Sequence, residues 1–334
     1  MASLLTREDI RDVYIKLYHR GLNFLLSKFS FNKNKRTKSS FNDDKLETAN
    51  WWIIPAVRRR WNELVTGNPD MSYEEYLSSY LSLEKKPLKM LSMGSGVCTH
   101  ELLLAELNPH WSITCLDFSD ALITVAKQKA QEKKLNNISF FCEDLYQYAF
   151  PDNHYDIIFF HSSLHHIDSI SAFMYSHIYS KLKRGGKLII NEYVGPDRLQ
   201  YPTSQIRAIN EGLTLIEEEY KEIYKTRLKK KTYYGSGLWR MKIADPSECI
   251  DSAAILPSVY RYFNIDVERP YGGNILMPAL KDIAHHFVAE DTRSMESLQR
   301  IMDYEDQYLL DHSSDFVFGI YTKKQPEIQN PIVL

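Results

Sequence analysis

An apolar run, Leu91-Ser92-Met93, ends at Gly94-Ser95-Gly96 and leads through Val97-Cys98 into a helical pattern. Such a turn lets a ligand approach the backbone, because a side chain at Gly94 or Gly96 would block it. The helix behind it presents free amide groups. By itself the turn fits many nucleotide sites, and equally a tight connection with no ligand. Asp117 stands at the end of the next apolar run, about twenty residues past Gly96, where a carboxylate can take both hydroxyls of a ribose. That arrangement also suits NAD. Asp144, in Cys142-Glu143-Asp144-Leu145 at the end of a third run, can accept from an adenine amino group. A dinucleotide site would want Gly or Ala at Thr99 to complete its glycine pattern. Thr99 and the acidic third run together favour an adenosyl ligand without a pyrophosphate.

These residues need a scaffold that brings the ends of several strands together. From residue 88 the chain alternates short apolar runs with helical stretches: LKMLSMG, a helix over 99–107, SITCLDFS, a helix that Ser119 can cap, NISFFCEDL, YDIIFFHSS, a helix at about 170–182, and KLIINEYVG after Arg184-Gly185-Gly186. This alternation predicts a parallel, doubly wound sheet, with the loops after the strands on one edge. YFNIDVERP and DFVFGIYTKK supply a sixth and a seventh strand. The fold class expected is α/β: a Rossmann-like, doubly wound, seven-stranded, mostly parallel sheet with a helical N-terminal cap and helical C-terminal insertions.

The cap spans 1–86 and the core 87–334, with insertions at about 197–260 and 274–311. In the cap, 4–27 reads as an amphipathic helix, and the charged stretch SKFSFNKNKRTKSSFNDD as a mobile loop. ANWWIIPAVRRRWNELVTG is a second helical region, stopped at Gly67. Ser72 with Glu75 marks a further helix start. In the core, 203–230 reads as one long helix ending in RLKKK, with Lys229-Lys230-Lys231 as its solvated end. A helix is expected to start at Asp245, and another stretch to cover roughly 275–311.

Of 334 residues, 44% are hydrophobic and 25% charged, and the net charge is −2, as for an ordinary globular protein and unlike one that grips nucleic acid through phosphates. No apolar run approaches the ~20 residues needed to cross a bilayer, and the N-terminus lacks a signal-peptide pattern. A cytoplasmic location, no nucleic-acid or membrane partner, and a monomer or homodimer are expected. Cys98, Cys115, Cys142 and Cys249 have no zinc-site spacing and read as buried free thiols.

The spacing of Gly94-Ser95-Gly96, Asp117-Phe118-Ser119, Glu143-Asp144-Leu145, YDIIFFHSSLHHI and LKRGGKL resembles the class I S-adenosylmethionine-dependent methyltransferases over about residues 88–195. The resemblance implies S-adenosyl-L-methionine as cofactor. Gly94 and Gly96, with Met93 and Ser95, would line its amino acid end. Asp117, with Phe118 beside it, would hold the ribose, and Asp144 with Leu145 the adenine. His161, followed by Ser162, would pass beneath the methionyl part. The family often has an acid where Ser92 stands and a third glycine where Cys98 stands. The flanks also resemble a narrower bacterial group that shares a cap pattern like IPAVRRRWNELVTGNP, then EYVGP, DPSE and Tyr271-Gly272-Gly273.

A sulfonium is an already activated methyl donor, so the implied catalysis is alignment and water exclusion. A base is needed only if the acceptor must lose a proton. His165 and His166, after the fourth strand, are candidates for that base, since imidazole titrates near ~6.5. One of them can equally pack or cap the next helix. Glu192 and Tyr193, after the fifth strand, could orient an amine or hydroxyl, or bond to the insertion. Trp51, Trp52 and Trp61 could cover the acceptor or pack helix against helix. Arg58-Arg59-Arg60 suit a solvated face better than an acidic acceptor. No metal is expected, because the fourth strand ends in His161 where clustered carboxylates would be needed. The reading is methyl transfer to oxygen or nitrogen of a small molecule. A protein (lysine) methyltransferase, with an open acidic groove, and a catalytically inactive binding protein are the alternatives.

Overall fold

A computed structural model of the chain describes residues 3–15, 17, 50–81 and 86–325. The charged stretch at 27–44 and most of the helix expected at 4–27 lie outside the described residues, but 7–15 are helical.

Seven strands form one sheet: β1 Lys89–Met93, β2 Ser112–Asp117, β3 Ile138–Cys142, β4 Tyr155–His161, β5 Leu182–Tyr193, β6 Phe263–Gly272 and β7 Phe316–Lys323, in the order β3-β2-β1-β4-β5-β7-β6. β1 to β5 run parallel, and β7 runs antiparallel to both β5 and β6. The strand order therefore reverses between β1 and β4, and the crevice past their C-terminal ends is where such sheets hold ligands. The expected fold class and all seven strands are present.

Helices α1 Pro55–Thr66 and α2 Tyr73–Leu81 belong to the cap, and α3 Thr99–Leu107 and α4 Asp120–Glu132 cross between strands. After β4, α5 Ile170–Phe173 continues as a π-turn, Met174–Tyr179. Local signals chose several of these ends. Gly67 closes α1 in the left-handed conformation (φ 81°), a conformation Gly adopts without a Cβ penalty. The amide of Glu75 donates to Ser72 Oγ (3.3 Å) and that of Ser72 to Glu75 Oε2 (2.8 Å), the reciprocal cap the sequence predicts. Ser119 accepts from the Leu122 amide to start α4.

The remaining helices are α6 Thr203–Thr214, α7 Leu238–Ala244, α8 Ile255–Tyr262, α9 Leu276–Leu280 and α10 Thr292–Leu309. Three expectations fail in this part. The helix expected over 203–230 ends at Thr214, because Ile216 and Ile223 turn inward to a core that a straight helix would not reach. Lys230 is not solvated: it is fully buried, and its ammonium donates to the carbonyls of Pro278 (2.5 Å) and Lys281 (2.7 Å). The helix expected at Asp245 starts at Ile255, since Asp245 Oδ1 is spent on a turn, accepting from Ser247 N (3.0 Å) and Ser247 Oγ (2.7 Å).

Alternation along the strands gives each face its own core. Met90, Ile157, Phe159, Ile189 and Phe318 pack under α1 to α4, while Leu91, Ile158, Phe160, Leu188 and Ile190 pack against α5 and α8. A third core joins Trp51, Ile54 and Val57 of the cap to Ile209, Leu213, Ile275, Leu298 and Ile301 of the insertions. Trp51 and Trp61 meet edge-on at 4.6 Å within this packing, the helix-packing role expected as one of their two readings. Arg59 and Arg60 pair with Glu290 and Asp306 of the insertion. Three cysteines are buried, but Cys142 is exposed because β3 is an edge strand. No helix among the described residues is long and apolar enough to cross a membrane.

Asp315 joins these layers. Its Oδ2 accepts from Gln205 of α6 (2.7 Å), and its carbonyl accepts from the Val194 amide (2.7 Å). Burial pushes its carboxyl up to about 7, with the Gln205 hydrogen bond opposing and the nearby Glu305 adding to the rise. The folded state therefore binds a proton that the unfolded chain, at an ordinary ~4, has released. Stability should fall as pH rises from about 4 to about 7 and level off above. Asp315→Asn should remove that slope, raising stability at pH 8 by about 3–4 kcal/mol while leaving pH 4.5 nearly unchanged. Chemical denaturation at the two pH values checks this, and equal effects at both would assign the slope elsewhere.

Candidate active site

The turn after β1 is held from both sides. Gly94 (φ 70°) donates its amide to the Leu116 carbonyl (2.8 Å). A Cβ on Gly94 would lie 2.8 Å from Ser163 Cβ, so no larger residue fits. Gly96 (φ 55°) is different: a Cβ there would meet nothing within 4 Å. Its left-handed backbone selects glycine, and the space above it is open to a ligand. Cys98, where a third glycine is common, also has φ 55° and starts α3 with its thiol buried. The position thus keeps the glycine conformation without glycine, at a cost on the order of 1 kcal/mol.

Asp117 is what fixes this turn. Its Oδ2 accepts from the Gly96 amide (2.9 Å) and its Oδ1 from the Ser119 amide (2.8 Å), at 5% exposure. A carboxylate oxygen can accept more than one hydrogen bond, so the same group can hold the turn and a ribose hydroxyl together. Phe118 beside it is half-buried. Ser92, which stands where the family often has an acid, donates to Glu101 Oε1 (2.6 Å). A carboxylate therefore reaches this place from α3. Glu101 Oε2 is buried with no hydrogen-bond partner, and burial raises the carboxyl's pKa. An orphaned buried oxygen and an open glycine turn fit a ligand carrying an ammonium group.

At the end of β3, where the adenine is expected, Asp144 is half-buried and its Oδ1 accepts from the Tyr146 amide (2.9 Å), while Leu145 packs against the core. His161 ends β4 on the cap side. Its Nδ1 pairs with Tyr73 Oη of α2 (2.9 Å), and its ring stacks on Tyr73 at an angle of 10°. Burial, with His100 and His165 nearby, keeps it neutral, well below the ordinary imidazole range. Met93 is buried, and Ser162 is exposed with φ 48°.

Past Ser162 the chain makes a short turn, Leu164–His166, and Glu192 at the end of β5 grips it. Glu192 is fully buried. Its Oε1 accepts from the amides of Ser163 and Leu164 (2.6 Å each) and its Oε2 from His165 Nδ1 (2.8 Å). Ser163 Oγ in turn donates to the Met93 carbonyl (2.9 Å). One contact path thus runs from the Gly94 turn through Ser163 and Glu192 to His165. Burial alone would lower the imidazole of His165, but the Glu192 carboxylate outweighs it and the net shift is upward. His166 is shifted downward by burial and by His165, with Glu248 opposing. Its Nδ1 faces Ser247 Oγ (3.2 Å) and its Nε2 faces Glu248 Oε2 (3.8 Å).

Of the residues expected near the chemistry, His165, His166 and Glu192 come together. Tyr193 meets them through its ring, edge-on to His165 with centroids 6.4 Å apart, while its buried hydroxyl donates to the Pro196 carbonyl (3.0 Å). Ser163, Tyr73, Glu101 and Glu248 carry no motif of their own and come to this region only through the fold. Glu248 lies in the DPSE stretch, whose cap-like pattern hid it.

Residues 91–190 match the family described as a methyltransferase domain. Over 117 residues the chain is 29% identical to malonyl-[acyl-carrier protein] O-methyltransferase 1 of Ilyobacter polytropus, covering 35% of this chain and 42% of that protein. It is 25% identical over 118 residues to a demethylmenaquinone methyltransferase of Thermus thermophilus, covering 35% and 53%. The chain thus spans about half or less of the length of these curated relatives. The solved phosphoethanolamine N-methyltransferase 2 of Haemonchus contortus, in complex with S-adenosylhomocysteine, aligns at 17% identity over 81% of this chain and 58% of that one, with a TM-score of 0.42.

Removing Glu192 leaves two backbone amides and an imidazole N–H buried without a partner. Glu192→Ala should therefore cost about 3–5 kcal/mol of stability, and His165→Ala clearly less. Parallel urea unfolding of the two variants checks this, and equal losses would show that the turn is held by other contacts.

Proposed function

We propose, from the premise that residues 91–190 are a class I S-adenosylmethionine-dependent methyltransferase domain, that this chain transfers a methyl group to oxygen or nitrogen of a small-molecule acceptor. The observation that carries the reading is the contact path from Gly94 through Ser163 to the Glu192–His165 pair, which ties a cofactor turn to a proton-handling group.

S-adenosyl-L-methionine, when bound, supplies a methyl group already activated on a sulfonium. The chain's own residues then bind, orient and exclude water. Gly94, Ser95 and Gly96, with Met93 behind them, cradle the amino acid end, and Glu101 Oε2 is placed to receive its ammonium. Asp117 holds the ribose hydroxyls while its Oδ2 and Oδ1 keep their bonds to the Gly96 and Ser119 amides. Phe118, Asp144 and Leu145 bound the adenine, and His161 with Ser162 closes the floor, buttressed by Tyr73. Glu192 holds His165 by Nδ1, so the other ring nitrogen can accept the acceptor's hydrogen. His166, kept neutral by burial, stands beside it as a second acceptor. Alignment at near-attack distance provides most of the acceleration.

Cofactor binding and turnover separate the roles. Asp117→Ala should weaken S-adenosylmethionine binding by ~1.5–3 kcal/mol in calorimetry. His165→Ala and His166→Ala should leave that affinity intact and lower methyl release from small-molecule extracts by roughly 10²-fold or more. No cofactor binding by the intact chain at millimolar concentration would end the enzymatic reading. Turnover only with protein fractions would move the acceptor to a protein side chain.

A further inference from the structure

We propose that His165, His166 and Glu248 form a binding site for one divalent transition-metal cation of the zinc type, at the edge of the acceptor region. The sequence reading expected no metal there. A ring nitrogen of each histidine and a carboxylate oxygen of Glu248 all lie within 4.8 Å of one another.

The hydrogen bonds assign both imidazoles the tautomer that a metal needs. Glu192, as a carboxylate, can only accept, so His165 Nδ1 must donate to it and the lone pair falls on Nε2. Ser247 spends its hydroxyl hydrogen on Asp245 Oδ1 (2.7 Å), so its Oγ can only accept from His166 Nδ1. That again leaves the lone pair on Nε2. A carboxylate or hydroxyl behind each ligating histidine is the usual way a protein orients imidazoles toward a metal.

The spacing agrees. His166 Nε2 and Glu248 Oε2 stand 3.8 Å apart, too far for a hydrogen bond. It is close to the ~3.3 Å ligand–ligand edge that bonds of about 2.0–2.1 Å make around tetrahedral zinc. The histidine loop and the Glu248 stretch are already joined, since the Ile250 amide donates to the His165 carbonyl (3.1 Å), and Arg198 Nη1 holds the Glu248 carbonyl from a third segment (3.1 Å). Two neutral imidazoles and one carboxylate suit a cation of charge +2. Nitrogen ligands favour zinc, cobalt or nickel over magnesium or calcium. Three protein ligands leave a fourth position for water or a substrate atom.

The role of that position rests on the methyl-transfer reading. In the metal-free protein the imidazoles are the proton acceptors of the proposed function. With the cation bound, their Nε2 lone pairs are spent as ligands, and the open position takes the acceptor's oxygen and lowers its pKa, so that its proton passes to water before methyl transfer.

Cobalt(II) titration of the full chain, followed by visible absorption, tests the site without any assay of activity. A 1:1 complex with the strong d–d bands of four- or five-coordinate cobalt is expected, displaced by zinc and not by magnesium. Glu248→Gln and His166→Ala, each checked for fold by circular dichroism, should weaken it by about tenfold or more, and Glu192→Gln by about 10–100-fold through His165. Cobalt bound equally by the wild type and both ligand variants, or not bound by the wild type, overturns the proposal. Calorimetry with S-adenosylmethionine on the same samples keeps the two readings apart. Cobalt binding without cofactor binding sinks methyl transfer alone, and cofactor binding without cobalt sinks the metal site alone.

Discussion

A carboxylate sealed from water must be met by hydrogen-bond donors, and Glu192 meets this demand with two amides and an imidazole from residues 163–165. The loop after β4 is also held by the Ser162 amide on the Asn191 carbonyl (2.9 Å) and by Ser163 Oγ on the Met93 carbonyl (2.9 Å), but Glu192 alone takes three of its donors. Ser162 has left the strand in a left-handed conformation and the turn that follows is a single one. By pulling Ser163 and Leu164 toward β5, Glu192 also presses Ser163 against Gly94, where there is no room for a Cβ. The glycine is therefore required by a neighbour that the carboxylate puts in place.

Asp117 repeats the device one layer away. It sits at the end of β2 and grips the amide of Gly96 in the loop after β1, as Glu192 sits at the end of β5 and grips the loop after β4. β1 and β4 are the adjacent strands at which the order of the sheet reverses. Two acidic residues, each on an outer neighbour, thus hold open the crevice between two inner loops. Amides turned toward a carboxylate are fixed in direction, so this crevice has a defined shape before any ligand enters.

The cap and the insertions complete that shape from outside. Tyr73 reaches His161 from α2, and Ser247 and Glu248 reach His166 from the segment before α8. Tyr73 and Leu77 of α2 pack in the core under one face of the sheet, while Ala254 and Ile255, just past the Ser247–Glu248 stretch, pack in the core under the other. Side chains from two distant stretches thus meet at the sheet edge because each stretch is anchored on a face of the same sheet.

Much of this was written locally in the chain. Alternating apolar runs set the strands, Gly67 and the Ser72–Glu75 pair set helix ends, and the glycine turn at Gly94 and Gly96 and the carboxylate of Asp117 that grips it stand at fixed spacing along the chain. These signals act within a few residues, where the chain has few alternatives. The sequence could not set what depends on which strands lie side by side: Glu192 meeting Ser163, Glu101 reaching Ser92 from α3, and Tyr193 turned onto Pro196. The same holds where burial overrides local pattern. RLKKK reads as a solvated helix end, yet Lys230 is buried against two carbonyls, and DPSE reads as a helix cap, yet it delivers Glu248 to a histidine. A hydrogen-bond donor or charge takes whichever partner the packed layers bring within reach, and only the tertiary structure decides which that is.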